Sequence, residues 1–175
     1  YFALYLAYVS SQDWDHAISA NEQSLKINIE ILGENDLNVA NNYYLGAQIY
    51  LKKFSVDEAL RLVNKANEII DTKPSKEPLL LARYRLLRAK LYQNKERNEE
   101  ALKDLGDAIT VAEGNPQLYS DELEIKNFRR NLINSLSDAE IAKLRINMEE
   151  EKVKEQQDEN KKKDIENIIN KSHFE

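Results

Sequence analysis

The chain has 175 residues, of which 42% are hydrophobic and 32% charged, with a formal net charge of −6, four Gly, three Pro and no Cys. The lack of cysteine excludes disulfides, thiolate metal sites and cysteine nucleophiles, and the negative charge argues against broad nucleic-acid binding, which needs a basic surface. Because so few Gly and Pro disfavour an all-β fold with its many tight turns, the composition predicts an all-α fold.

Membrane association is not expected. No apolar run approaches the roughly 18–20 residues that a membrane-spanning helix needs. The chain begins with Tyr1 rather than Met, so we expect it to be part of a longer protein, and an upstream targeting signal stays open. A chain without cysteine also fits a reducing compartment.

Four columns of residues recur every 42 positions, and a fixed internal period is typical of repeat proteins. Each repeated segment carries acidic residues followed by Ala, as in DWDHAISA, SVDEALRL and RNEEALKD. The small and apolar residues of the columns share one face of a helix because they are spaced by three, four and seven. The columns are Tyr8, Tyr50 and Tyr92; Ala17, Ala59 and Ala101; Ser24, Ala66 and Ala108; Ile27, Ile69 and Val111.

Each repeat predicts a pair of helices joined by a short polar turn, over residues 1–30, 39–72 and 80–112. Small residues where two helices cross allow close approach, and large Tyr side chains fill the neighbouring groove. The segment EILGENDLNVANN joins the first two pairs. In it, Gly33 is expected to end one helix and Asn35 or Asp36 to begin the next.

Over residues 1–112 these residues resemble the tetratricopeptide repeat. The family's pattern has four characteristic positions: a small residue, an aromatic residue, an Ala and a second Ala. In that order, these positions hold Tyr5, Ala47 and Ala89; Tyr8, Tyr50 and Tyr92; Ala17, Ala59 and Ala101; and Ser24, Ala66 and Ala108. The 42-residue length is similar to that of the kinesin-light-chain type. The resemblance implies an all-α, right-handed superhelix (an α-α solenoid) of tetratricopeptide-like helix pairs with a long C-terminal helix.

The sequence departs from this pattern in two places. In the first repeat, Tyr5 stands in place of a small residue and Ser24 in place of Ala. In the third repeat, Arg85 and Arg88 stand where hydrophobic or small residues are usual. We therefore expect the third helix pair to pack more loosely.

Residues 118–135 are predicted to form a capping helix or a degenerate fourth repeat. Ser120 is the expected N-cap, and terminal units are commonly atypical because one face meets water. The apolar residues expected to face the preceding pair are Leu123, Ile125, Phe128, Leu132 and Ile133.

Residues 137–175 are predicted to form a charged helical extension, either solvated or disordered towards its end. Its expected start is Ser137 or Asp138, with Glu140 close behind. The alternative is a coiled coil with a partner, although a coiled-coil seam needs three or more regular heptads.

The resemblance implies that partner proteins bind to the concave wall formed by the first helix of each repeat. This wall would hold a protein or peptide with acidic and apolar residues. The corresponding residues here are Asn41, Tyr44, Gln48, Lys52, Arg83, Leu86, Lys90 and Asn94, with Phe2 and Leu6 in the first repeat. The family's clamp for chaperone C-termini is not expected, because Phe2, Leu6 and Leu87 occupy places that need basic or Asn residues.

No catalytic, cofactor or metal site is predicted. The two histidines, His16 and His173, have no neighbouring ligand at metal-binding spacing, and no Gly-rich phosphate loop exists. The expected function is therefore a non-catalytic scaffold or adaptor within a larger complex. By resemblance, the complex would be cytoplasmic, in a motor, cytoskeletal or ciliary setting. The alternative is a constitutive structural subunit that braces an assembly through its convex face and C-terminal helix.

Overall fold

The computed structural model describes residues 1–73 and 77–172. These residues form α-helices and one short 3-10 turn and contain no strand, so the predicted all-α class is confirmed. His173 lies outside the described residues. The helices are α1 (Phe2–Ser10), α2 (Trp14–Leu32), α3 (Leu37–Lys52), α4 (Val56–Asp71), α5 (Pro78–Asn94), α6 (Asn98–Glu113), α7 (Tyr119–Ser135) and α8 (Asp138–Ser172).

The chain divides into two compact units, Tyr1–Leu132 and Ile133–Glu175. In the first unit the helices pack in neighbouring pairs around small residues. The Ala residues of the second column, Ala17, Ala59 and Ala101, are completely buried. An Ala side chain at these places lets the two helices of a pair approach closely, and larger side chains such as Tyr84 fill the space between pairs.

Each short turn within a pair contains one residue with a left-handed backbone. The φ angles are +59° at Gln12, +59° at Phe54 and +57° at Glu96. The next helix follows at once; in the first turn, Asp13 accepts a hydrogen bond from the His16 backbone N–H at 3.3 Å. The three left-handed residues, like the columns of the sequence, are 42 positions apart. The local backbone therefore has the same period as the side chains.

Phe54 is an unfavourable residue for its place, because a left-handed backbone costs a residue with a Cβ roughly 1–2 kcal/mol while Asn tolerates it. The Phe54 side chain is 91% exposed and gains little from packing. We expect Phe54→Asn to raise the free energy of unfolding by about 0.5–1 kcal/mol, measured by urea denaturation. The control is Phe54→Leu, which keeps the strain and should give no gain; equal stabilisation by both changes would contradict the strain argument.

The joint between the first two pairs has the predicted ends. Gly33 closes α2 with φ +86°, and its N–H donates to the Ile29 carbonyl. Asp36 caps α3 by accepting a hydrogen bond from the Asn38 backbone N–H at 2.8 Å. These bonds satisfy backbone groups that a helix end leaves without partners.

A buried asparagine network connects α2 and α3. Asn21 and Asn42 are 6% and 4% exposed, and the Asn42 amide donates to the Asn21 side-chain oxygen at 3.0 Å. Asn21 donates in turn to the Asn42 carbonyl, and Asn28 donates to the Asn42 side-chain oxygen. Because a buried amide without partners is costly, this network favours one register of α3 on α2.

The third pair is not loosely packed, so the expectation drawn from Arg85 and Arg88 is wrong. Arg88 makes a two-pronged ion pair with Asp104 of α6, with both N–O distances 2.6 Å. Arg85 contacts Asp71 of α4 at 2.6 Å and Asp104 at 3.5 Å. Asp104 is only 3% exposed, and neighbouring Leu105 is completely buried. The arginines thus pack by pairing with a buried carboxylate.

Residues 119–132 of α7 pack on the third pair, although with a narrower apolar face than expected. Ile125 and Leu132 are buried in the core of that pair, and Phe128 is packed against it. Leu123 is 51% exposed, so its predicted inward orientation is wrong. Ile133 is 36% exposed and belongs to the second unit. The helix begins at Tyr119, directly after a 3-10 turn at Pro116–Leu118, rather than at a Ser120 cap.

In the second unit, α8 begins with a reciprocal cap. The Glu140 carboxylate accepts from the Ser137 backbone N–H at 2.8 Å, and the Glu140 N–H donates to the Ser137 hydroxyl at 3.3 Å. This capping box makes Ser137 the N-cap of α8, which begins at Asp138. Among its described side chains, none is buried, and Ile146 and Val153 are 56% and 57% exposed. No helix in the described part of the chain is long and apolar enough to cross a bilayer.

Candidate functional site

The eight residues predicted to bind a partner lie on two helices. Asn41, Tyr44, Gln48 and Lys52 are on α3, and Arg83, Leu86, Lys90 and Asn94 are on α5. Leu86 is buried, whereas the other seven side chains are half-buried or exposed. We call these seven the α3–α5 wall: Asn41, Tyr44, Gln48, Lys52, Arg83, Lys90 and Asn94.

An aromatic stack connects the two helices of the wall. The rings of Tyr44 and Tyr84 are 4.7 Å apart between centroids and 29° from parallel. Burial raises the pKa of both phenols above its ordinary value, so both stay neutral hydroxyls at alkaline pH as well. Tyr84 is completely buried and Tyr44 is half-buried, so Tyr44 is the member of the stack that reaches the surface. Its stacking on Tyr84 holds the Tyr44 ring in place.

Polar groups adjoin this aromatic surface. The Gln48 side chain donates a hydrogen bond to the Tyr44 hydroxyl at 2.9 Å, one turn along α3. The remaining N–H and the carbonyl oxygen of the Gln48 amide can each bond a peptide backbone. Asn41, one turn earlier, is also half-buried. An extended peptide lying along α3 would meet alternating amide and aromatic groups.

The two cations of α5 in the wall are paired with acidic residues of α7. Arg83 contacts Asp121 at 2.9 Å, and Lys90 contacts Glu124 at 2.8 Å, with its ammonium 5.8 Å from the centre of the Phe128 ring. The hydrogen bond from Arg83 to Asp121 raises the pKa of Arg83. Such exposed pairs contribute only about 0–1 kcal/mol, so an acidic ligand can replace them.

Sequence reasoning missed the contribution of α7 to this surface. Asp121, Glu124 and Phe128 are spaced by three and four, which places them on one side of a helix. This spacing in the sequence could have indicated that the three residues share a face. It could not have identified Arg83 and Lys90 as their partners, because these ion pairs join residues 38 and 34 positions apart rather than 42.

Leu86 was predicted as a wall residue, and this assignment is wrong. It is 7% exposed and belongs to the same core as Ala82, Ile125 and Leu132. Its neighbours Arg83 and Lys90 pair with α7, and the core that holds Leu86 includes residues of α6 and α7. Leu86 is therefore a core residue and not part of the exposed wall.

The ends of the wall differ in their polar partners. Lys52 is exposed at the last turn of α3 and has no ion pair within the described residues. Asn94 donates its side-chain amide to the Lys90 carbonyl at 2.8 Å and so satisfies the end of α5. Lys52 is therefore the wall cation that is available to an acidic ligand without displacing another group.

In the first helix pair, the positions that correspond to Tyr44 and Gln48 in the 42-residue period hold the apolar residues Phe2 and Leu6. Phe2 is 53% exposed and Leu6 is 47% exposed, and the Phe2 ring stacks on Tyr5 at 6.0 Å. His16 lies on the turn side of this pair, paired with Asp13 at 2.8 Å and 67% exposed. In the described ranges, no group of three or more His, Asp or Glu side chains is arranged to hold a metal ion.

Comparison with known proteins provides no identity for this site. No protein-family model matches the chain, and a search of curated proteins finds no relative. The geometry of α3, α5 and α7 therefore carries the functional argument.

Proposed function

We propose that this protein is a non-catalytic scaffold of tetratricopeptide-like repeats that binds an extended peptide along the α3–α5 wall. The observation that carries the proposal is the stacked Tyr44–Tyr84 pair with the Gln48 amide and exchangeable cations beside it. An extended peptide needs amide groups for its backbone and apolar surface for its side chains. Both lie next to each other here.

A superhelical arrangement of the first unit is part of this proposal. It is supported by the left-handed residues Gln12, Phe54 and Glu96, and by ion pairs that recur between pairs. Lys53 contacts Asp15 at 2.5 Å, and Lys95 contacts Asp57 at 2.6 Å. Each residue of the second ion pair lies 42 positions after its counterpart. Repetition of the same step from pair to pair generates a solenoid.

The preferred ligand is an extended peptide that carries both acidic and apolar residues. Lys52 attracts a carboxylate directly, while carboxylates at Arg83 and Lys90 would replace Asp121 and Glu124. The ring of Tyr44 receives an apolar side chain. By resemblance, a motor, cytoskeletal or ciliary complex in the cytoplasm is the proposed setting.

Selection of random twelve-residue peptides on the 175-residue chain tests this function. We expect the enriched peptides to combine acidic and apolar residues, and Tyr44→Ala to weaken binding about tenfold or more, because buried aromatic anchors dominate such interfaces. Lys52→Glu should weaken binding and reduce its salt dependence. Lys26→Glu on α2 makes the same change in charge away from the wall and is the matched control. Equal loss with Lys26→Glu, or no enrichment, would refute the proposal.

A bracing subunit is the second candidate, and α8 favours it. This helix has 35 residues, and its exposed Ile146 and Val153 are available to a partner. Removal of residues 138–175 separates the two functions. Peptide selection on the wall should survive the truncation, whereas incorporation into an assembly braced by α8 would be lost.

A further inference from the structure

Exposed large hydrophobic side chains are concentrated on the first helix pair. In α3 to α6 and their turns, Phe54 is the one such residue within the described positions. A pair with this much exposed apolar surface indicates an interaction face. The exposed residues of the first pair are Tyr1, Phe2, Leu4, Leu6, Ile27, Ile31 and Leu32.

Two columns of the 42-residue period show how the residues of α3 and α5 that are equivalent to exposed residues of α1 are packed. Ile49 of α3 is buried in the core of the first pair, with Leu45 packed against it. Leu87 and Leu91 of α5, 42 positions later, are buried in the core of the second pair. Each of these helices thus covers the pair before it. The same columns, 42 positions earlier, fall on Ala3 and Ala7 of α1, and both are exposed.

The second helices of the pairs, α2, α4 and α6, show the same difference in burial. Ile69 of α4 is 6% exposed, in a core against which Leu25 and Ile29 of α2 are packed. Val111 of α6 packs against the core that contains Ile69. The corresponding residue of α2 is Ile27, which is 38% exposed. The residue that contacts the preceding pair is therefore uncovered in α2.

We propose that Ala3, Ala7 and Ile27, on the outer face of the first pair, form a docking site for another antiparallel helix pair. Its second helix presents small and branched aliphatic side chains to α1, as α4 presents Val63 to α5. The face continues an interface that the chain already forms twice. The α1 part of this face is uncharged, since α1 has no acidic or basic residue, so an apolar partner meets no unpaired charge there.

A fusion that supplies such a pair tests the proposal. A second copy of residues 37–84 placed directly before Tyr1 delivers α3, α4 and the start of α5 in register, because Arg85 occupies the place of Tyr1 in the 42-residue period. We expect amide exchange in α1 to slow at least tenfold relative to the 175-residue chain. The midpoint of thermal unfolding should also rise.

Ala7→Arg, made in both chains, shows whether the outer face is the part that is covered. In the 175-residue chain Ala7 is exposed and Arg is a good helix former, so the midpoint should not change. In the fusion the same change should lower the midpoint by about 5 °C or more. Both measurements are made without peptide, so a failure here is distinguishable from a failure of peptide binding at the α3–α5 wall.

Three results would overturn the proposal. Unchanged α1 exchange in the fusion, or an Ala7→Arg effect that is the same in both chains, would show that no helix pair docks there. Self-association of the 175-residue chain, measured by light scattering over a dilution series and abolished by Ala7→Arg, would make a second copy the occupant instead.

Discussion

Replacing Asp104 with alanine should lower the free energy of unfolding by about 3–5 kcal/mol, because removal of one partner leaves buried charge without compensation. Arg88 would lose both of its short contacts, and Arg85 would keep only Asp71. The side chains of Arg85 and Arg88 are 14% and 16% exposed, so water can replace little of the lost pairing. Urea denaturation followed by circular dichroism measures the change.

A matched variant separates the buried charge from the packing at this site. The positions 42 residues before Arg85, Arg88 and Asp104 hold Tyr43, Gly46 and Leu62. We expect the triple change Arg85→Tyr, Arg88→Gly and Asp104→Leu to restore stability to within about 1–2 kcal/mol of the unchanged chain, since apolar replacement of a buried ion pair is often neutral. A triple variant as unstable as Asp104→Ala would contradict the equivalence of the two pairs.

The physical basis of this equivalence is visible in the second pair. A Cβ added to Gly46 would lie 3.1 Å from a methyl carbon of Leu62, so Leu62 fills the space that Gly leaves. In the third pair, the long Arg88 side chain and the short Asp104 side chain occupy the corresponding positions. Burial alone would lower the pKa of Arg88, but its hydrogen bonds to Asp104 raise that pKa, so the arginine remains charged.

Features that depend on neighbouring residues along the chain could be predicted from the sequence. Gly33 ends α2 because glycine adopts a positive φ without cost, and Asp36 caps α3 with a side chain two residues from its donor. Glu140 identifies the start of α8 in the same way. Each of these signals is local, so no knowledge of helix packing was needed to read them.

The candidate site could be predicted only in part, because it depends on how helices cross. Tyr44 and Gln48 follow from the helical face that they share. The burial of Leu86 does not, since Leu86 lies in a core built from α5, α6 and α7. The pairing of Asn21 with Asn42 was missed for the same reason. Each amide alone reads as a surface residue, and only the approach of α3 to α2 makes them partners.

Ala59→Leu and Ala101→Leu should each lower the free energy of unfolding by about 1–3 kcal/mol or more, because extra carbon atoms cannot be accommodated in a filled core. Both alanines are completely buried, Ala59 in the same core as Leu60 and Val63, and Ala101 in the same core as Leu105. Ala3→Leu, on an exposed face of α1, is the matched control and should leave the thermal midpoint unchanged. If Ala59→Leu and Ala101→Leu also leave it unchanged, the 42-residue register is wrong, because that register places these two alanines at the closest approach of paired helices.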